Sequence, residues 1–303
     1  MRWEDFRTSD NVEDRRGQGG GGGGFGLPLP GGRGGLGIGT MIILGLIGWA
    51  LGVDPRILIQ GADIFTGGSQ SGYERSAPTP SPSKQGAPAD QLGRFAAAVL
   101  GNTEDVWKQV LPAPLNRQYS PTSLVLYERG TRSACGSAQS AMGPFYCPLD
   151  RKVYLDLSFF QEMQKKFGTG GDFAYAYVIA HEVGHHVQNV LGILPKVQQR
   201  QQQVDQREAN PLSVRVELMA VCLAGVWANN PNDRFNAISE SDMRQAVAAA
   251  EAIGDDRLQG RSRGEVMPDS FTHGSSEQRV RWLLTGFRSG QVQSCDTFRT
   301  SRL

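Results

Sequence analysis

The stretch FAYAYVIAHEVGHHVQNV, residues 173–190, decides the reading of this chain. Its apolar first half predicts a helix over about 172–191 that lines a cleft. His181 and His185 are four residues apart. On an α-helix this puts both rings on one face, one turn apart, where two imidazoles can converge on one metal ion. Glu182 lies beside them, within reach of the metal's open side. Bound zinc lowers the pKa of its water to about 7, and a neighbouring carboxylate can then take the proton. A hydroxide nucleophile and a polarised carbonyl are what amide hydrolysis needs. The chain has four histidines, and two of them have this spacing. The bland alternative is two surface histidines beside a glutamate. His186 is adjacent but turned by about 100°, so packing or hydrogen bonding suits it better than metal binding.

A third ligand is expected at Glu217, in SVRVELMAVCLAGVW (213–227), where a lone carboxylate on an apolar helix needs a reason. Glu208 is the rival, but its segment is polar throughout and a solvated face explains it. His273 is the other possible ligand. Together with Arg279 it lies in THGSSEQR (272–279). There His273 could donate a hydrogen bond to a developing oxyanion, and Arg279 could hold a carboxylate behind the metal or bind substrate. A His that merely begins a helix and a surface Arg remain open as the plainer reading.

Outward from this motif the globular pattern covers 90–303 and is mainly α with a small β-sheet, an α+β fold. Helices are expected over 90–100 and 103–110, with Asp90 and Thr103 as caps. Strands are expected at 124–128, 143–147 and 153–156. Further helices are expected over 159–167, 195–207, 210–228 with Pro211 in the first turn, 239–253 and 275–287. With 303 residues, 39% of them hydrophobic, the chain can bury a core, and a net charge of +1 gives no electrostatic case for nucleic-acid binding. Cys135, Cys147, Cys222 and Cys295 show no CxxC spacing, so a zinc ribbon or a thioredoxin-type motif is not indicated. Two disulfides are expected. Three pairings are possible; Cys135–Cys147 and Cys222–Cys295 are favoured, with four reduced, buried thiols as the alternative.

The N-terminal third reads differently. Residues 1–34, with a nearly pure Gly run at 17–24, are expected to be disordered and cytoplasmic. Residues 35–53, GLGIGTMIILGLIGWALGV, carry no charge over 19 residues and read as one transmembrane helix. Arg15, Arg16 and Arg33 precede it and only Arg56 follows closely, which places the C-terminal domain on the exported side, periplasmic or extracellular. Residues 54–89 read as a flexible linker.

The chain resembles the membrane-anchored neutral zinc metallopeptidases of bacteria, a group with a gluzincin-like order of motifs. The likeness rests on MRWEDFRTSDNVEDRRG at the start, the apolar span, GPFYCPLDRKVYLD (143–156), HEVGHHVQN (181–189), VELMAVCLAGVWA (216–228) and THGSSEQR. It implies a zincin-like protease domain anchored in the inner membrane, with one zinc per chain and a peptide or protein substrate. It implies His181, His185 and Glu217 as ligands and Glu182 as catalytic base, and it matches His273 and Arg279 to a late His and Arg of related enzymes. One position departs from the pattern. The third-ligand helix of the family usually reads Glu-x-x-Ala-Asp, and here Val221 replaces the Asp that could orient a zinc-bound histidine. A zinc-binding scaffold or interaction module with weak or no turnover is therefore the competing expectation.

Overall fold

The computed structural model describes residues 1–17, 84–112, 116–140, 143–235, 238–263 and 266–303. The apolar stretch 35–53 and nearly all of the expected linker lie outside them. The fold is mainly helical with a small mixed sheet.

Five strands form the main sheet in the order β2-β1-β3-β7-β6: β1 Val12–Asp14, β2 Lys84–Gln85, β3 Ser123–Tyr127, β6 Phe145–Cys147 and β7 Lys152–Asp156. The pairs β1/β3 and β3/β7 are parallel, and the two edge strands run antiparallel. A separate hairpin, β4 Gly130–Ser133 with β5 Gly136–Gln139, is pinned by the Cys135–Cys147 disulfide to β6. The helices are α1 Gln91–Val110, α2 Ser158–Phe167, α3 Asp172–Val190, α4 Ile193–Gln201, α5 Gln206–Phe235, α6 Glu240–Ala252, α7 Asp255–Arg263 and α8 Ser276–Ser289. The second disulfide joins Cys222 of α5 to Cys295, so the favoured pairing is the one formed.

The core explains why α3 is a helix that tolerates apolar residues all round. It packs against α1, α5 and α6, and most of its side chains are buried. Helix α5 is apolar and long enough to cross a membrane over Gln206–Asn230, but it is largely buried within the protein. Two boundaries differ from expectation. Residues 90–110 form one helix, not two: Asp90 caps it, while Thr103 bonds back to the Leu100 carbonyl inside the helix. Helix α5 begins before Pro211, because Asp205 accepts the Glu208 N–H and caps it there.

The expectation that residues 1–34 are disordered is corrected for 1–17. Phe6 and Val12 are buried, and Trp3 stacks edge-on against Phe95 at 5.6 Å. Glu104, buried on α1, accepts from Arg7, Ser9 and Asn11. Gly101 lets this segment cross α1, since a Cβ there would collide with the Arg7 carbonyl. Few apolar residues mark the segment, and its polar ones earn their place through one buried carboxylate. Residues 1–17 thus pack onto the described part of the domain, and Lys84–Gln85, in the expected linker, pair with β1 in the sheet. The sheet also bears on the expected topology. Val12 pairs with Leu124, and strands joined by backbone hydrogen bonds lie on one side of any membrane.

Candidate metal centre

Helices α3 and α5 run antiparallel at close range. Gln188 Nε2 donates to the Val216 carbonyl at 2.6 Å, and a Cβ on Gly184 would lie 3.0 Å from the Ala220 carbonyl. The glycine of HEVGH therefore lets the two backbones approach until Glu217 reaches both histidines. Its Oε2 lies 3.2 Å from His181 Nε2 and its Oε1 lies 3.4 Å from His185 Nε2. One ligand atom from each residue falls within 4.8 Å of the others. Tetrahedral zinc with ~2.0–2.1 Å bonds requires ligand–ligand edges of about 3.3 Å. The donor set, its burial and its spacing fit a zinc ion held by His181, His185 and Glu217. Glu208, the rival ligand, is an exposed residue of the first turn of α5 beside Arg200.

Charge in the site is divided unevenly. Burial drives the His181 ring down to about 4, so at neutral pH it offers a lone pair. Burial also opposes charge on His185, but adjacent Glu217 overrides it and raises the ring to about 9. Burial works against the Glu217 carboxylate too, yet His185 and His273 hold it well below the usual range and keep it ionised. A metal ion would replace the proton that balances Glu217 here. Glu182 is different: burial raises it to about 7, helped by Glu217 and opposed by His185 and Arg279. A carboxyl poised near neutrality can take a proton and return it.

His273 and Arg279 reach the same site from α8 and the turn before it. Arg279 is 1% exposed and lies 3.6 Å from Glu217 Oε2; it donates to the His273 carbonyl at 3.1 Å and to the Tyr177 hydroxyl at 3.4 Å. His273 lies close enough to Glu217 for the carboxylate to raise its pKa against burial. His186, as expected, turns away from the metal-binding face. Its Nε2 donates to the Ser120 carbonyl at 2.6 Å, so Nδ1 accepts from the Tyr146 hydroxyl at 3.0 Å, and Asn189 donates to that same oxygen.

Two residues of the site escaped the sequence reading. Gln188 accepts a hydrogen bond from His185 Nδ1 at 2.9 Å, and its place at i+3 from His185 was the available signal. Asp255 holds His273, and no motif spacing pointed to it, because it acts from the start of a separate helix, α7.

A family model described as "Putative neutral zinc metallopeptidase" matches residues 1–298. Two Escherichia coli relatives, from strains K12 and CFT073 and both named "Uncharacterized protein YpfJ", are 47% identical over 303 residues, covering 99% of this chain and all of theirs. A Mycobacterium tuberculosis relative, "Uncharacterized protein Rv2575", is 40% identical over 231 residues, 73% of this chain and 75% of its own. No solved structure matches the chain.

Proposed function

The chain belongs to the neutral zinc metallopeptidase family, and we propose that it hydrolyses peptide bonds at the His181–His185–Glu217 centre with Glu182 as general base. The observation that carries this reading is the convergence of His181, His185 and Glu217 at zinc-ligand spacing, with the Glu182 carboxyl buried beside them on α3. Zinc bound there would polarise the scissile carbonyl and acidify a water. Glu182 takes the proton of the attacking water and passes it to the leaving amine. His273 and Arg279, which both lie against Glu217, would offer hydrogen-bond donors to a developing oxyanion. The substrate implied by the family is a peptide or protein segment.

The two disulfides support folding in an oxidising, exported setting. The stretch 35–53 is apolar enough to enter a membrane; with β1 paired to β3, it would attach the chain without a net crossing, leaving residues 1–17 and the catalytic domain on the same, exported side.

Two features favour a second reading, a zinc-stabilised scaffold with little turnover: His181 Nδ1 is buried without a hydrogen-bond partner among the described residues, and Val221 stands where the family usually has an Asp. Zinc content and cleavage of an unfolded protein substrate, measured in wild type and Glu182→Gln, separate the readings. One zinc per chain in both proteins, with cleavage reduced by about 10²–10⁴-fold in the variant, is the expected result. One zinc with equal residual cleavage in both would favour the scaffold, and well-folded protein without zinc would overturn the metal centre.

A further inference from the structure

We propose that Gln188 is a positioning residue of the metal centre: its carboxamide holds His185 with Nδ1 protonated and Nε2 presented to the metal. The argument starts from the amide's two ends. Gln188 is fully buried, and its Nε2 donates to the Val216 carbonyl at 2.6 Å. The opposite assignment would set two acceptor oxygens face to face at that distance, so the amide cannot be turned round. Its Oε1 therefore faces His185 Nδ1 at 2.9 Å. An amide oxygen only accepts, so Nδ1 carries a hydrogen and donates it. The remaining nitrogen, Nε2, is the one that lies 3.4 Å from Glu217 Oε1 and belongs to the converging ligand set.

The consequence is an asymmetric site. His185 is oriented from behind by a side chain that is itself fixed to the Val216 carbonyl, one residue before the third ligand. Gln188 thus couples two ligands, His185 on α3 and Glu217 on α5, through one amide. Among the described residues His181 has no such support, since its buried Nδ1 finds no partner there. With one of the two histidines unsupported, the support given to the other carries more weight. Loss of a residue that orients a metal-bound histidine typically weakens metal binding by about 10–100-fold.

The inference rests on His181, His185 and Glu217 as zinc ligands, and its test separates the two claims. Zinc affinity is measured on the full chain by competition with a chromophoric chelator, in wild type and Gln188→Met, which keeps length and burial but removes both hydrogen bonds. In the zinc-loaded wild type, the His185 Nδ1–H proton is followed by nuclear magnetic resonance. We expect tight binding of one zinc by wild type, affinity about 10–100-fold weaker in the variant, and a slowly exchanging Nδ1–H signal in wild type only. Wild type that binds zinc while the variant, equally folded by circular dichroism, binds it as well would overturn the role of Gln188 and leave the metal centre standing. Should the variant not fold, the wild-type proton decides: rapid exchange at His185 Nδ1 would overturn the proposal. Wild type that binds no zinc would overturn the ligand assignment itself.

Discussion

Asp255 Oδ1 stands 3.3 Å from Nδ1 of His273, while its Oδ2 accepts the backbone N–H groups of Thr272, His273 and Gly274 at 2.7–3.0 Å. One carboxylate thus shapes the turn before α8 and orients the ring that the turn presents to Glu217. Asp255→Asn keeps the volume but removes the charge and part of the accepting capacity. Turnover should fall by at least ~10-fold, with the ~10²–10³-fold cost of losing an oxyanion donor as the upper bound. Zinc content should be unchanged, because neither residue belongs to the ligand set. Steady-state kinetics with metal analysis on the same samples checks both; wild-type turnover would show that His273 needs no help from Asp255.

Val221 lies one turn beyond Glu217 on α5 and is fully buried. With α3 and α5 antiparallel and Ala220 set against Gly184, that turn lies on the side of His181, whose Nδ1 has no partner among the described residues. Val221→Asp should supply one. In zinc-loaded protein the new carboxylate accepts from Nδ1–H, and affinity should rise by roughly 10-fold. In metal-free protein the same buried carboxylate has a weaker partner and should lower stability. Thermal unfolding with zinc and with chelator reads this as a wider gap between the two states than in wild type. An unchanged gap would mean that position 221 does not face His181.

The N-terminal segment should behave as part of the domain. Glu104→Ala leaves Ser9 Oγ and Asn11 Nδ2 without their shared acceptor, and Arg7 without its buried one. Ser9 is fully buried, and orphaning its hydroxyl costs about 1–3 kcal/mol, so urea denaturation should show a loss of that size. Sidedness follows from the same contacts. Cysteines introduced at exposed positions 10 and 165, as Asp10→Cys and Lys165→Cys, should react alike with a membrane-impermeant maleimide on intact cells. Opposite labelling would mean that β1 does not pair with β3 in the cell.

The sequence was most legible where one local period carried the signal. HEVGH placed His181, Glu182 and His185 because a helix repeats every 3.6 residues, and Glu217 stood out as a carboxylate within an apolar run. Helices α2, α6 and α8 were expected close to their observed bounds, and the structure shows Gly168 ending α2 and Ser239 and Ser275 capping the other two. What escaped depends on contacts distant in sequence. Strand β1 has three residues and gains its place from β3, over a hundred positions away. Helix α7 is strongly polar, so no apolar stripe announced it. Gln188 and Asp255 act through the atoms they face, and a sequence carries no distance between side chains.

His186 ties the metal-binding helix to the sheet and gives the fold a pH dependence that the other variants do not probe. Buried between Tyr119 and Tyr146, it is held down to about 4, chiefly by burial. The unfolded chain binds this proton near the ordinary value of about 6.5, so between the two values only the unfolded state is protonated. The neutral ring therefore stabilises the fold fully above about pH 6.5, and that contribution is lost as the pH falls toward 4. A shift of this size corresponds to roughly 3 kcal/mol. Denaturation with excess chelator, in wild type and His186→Gln between pH 7.5 and 4.5, isolates it, since His181 titrates in both proteins. The variant should be the less stable at pH 7.5, having lost the bonds to Ser120 and Tyr146, and the difference should shrink on acidification. A difference that stayed constant with pH would mean that His186 is protonated as readily in the fold as outside it.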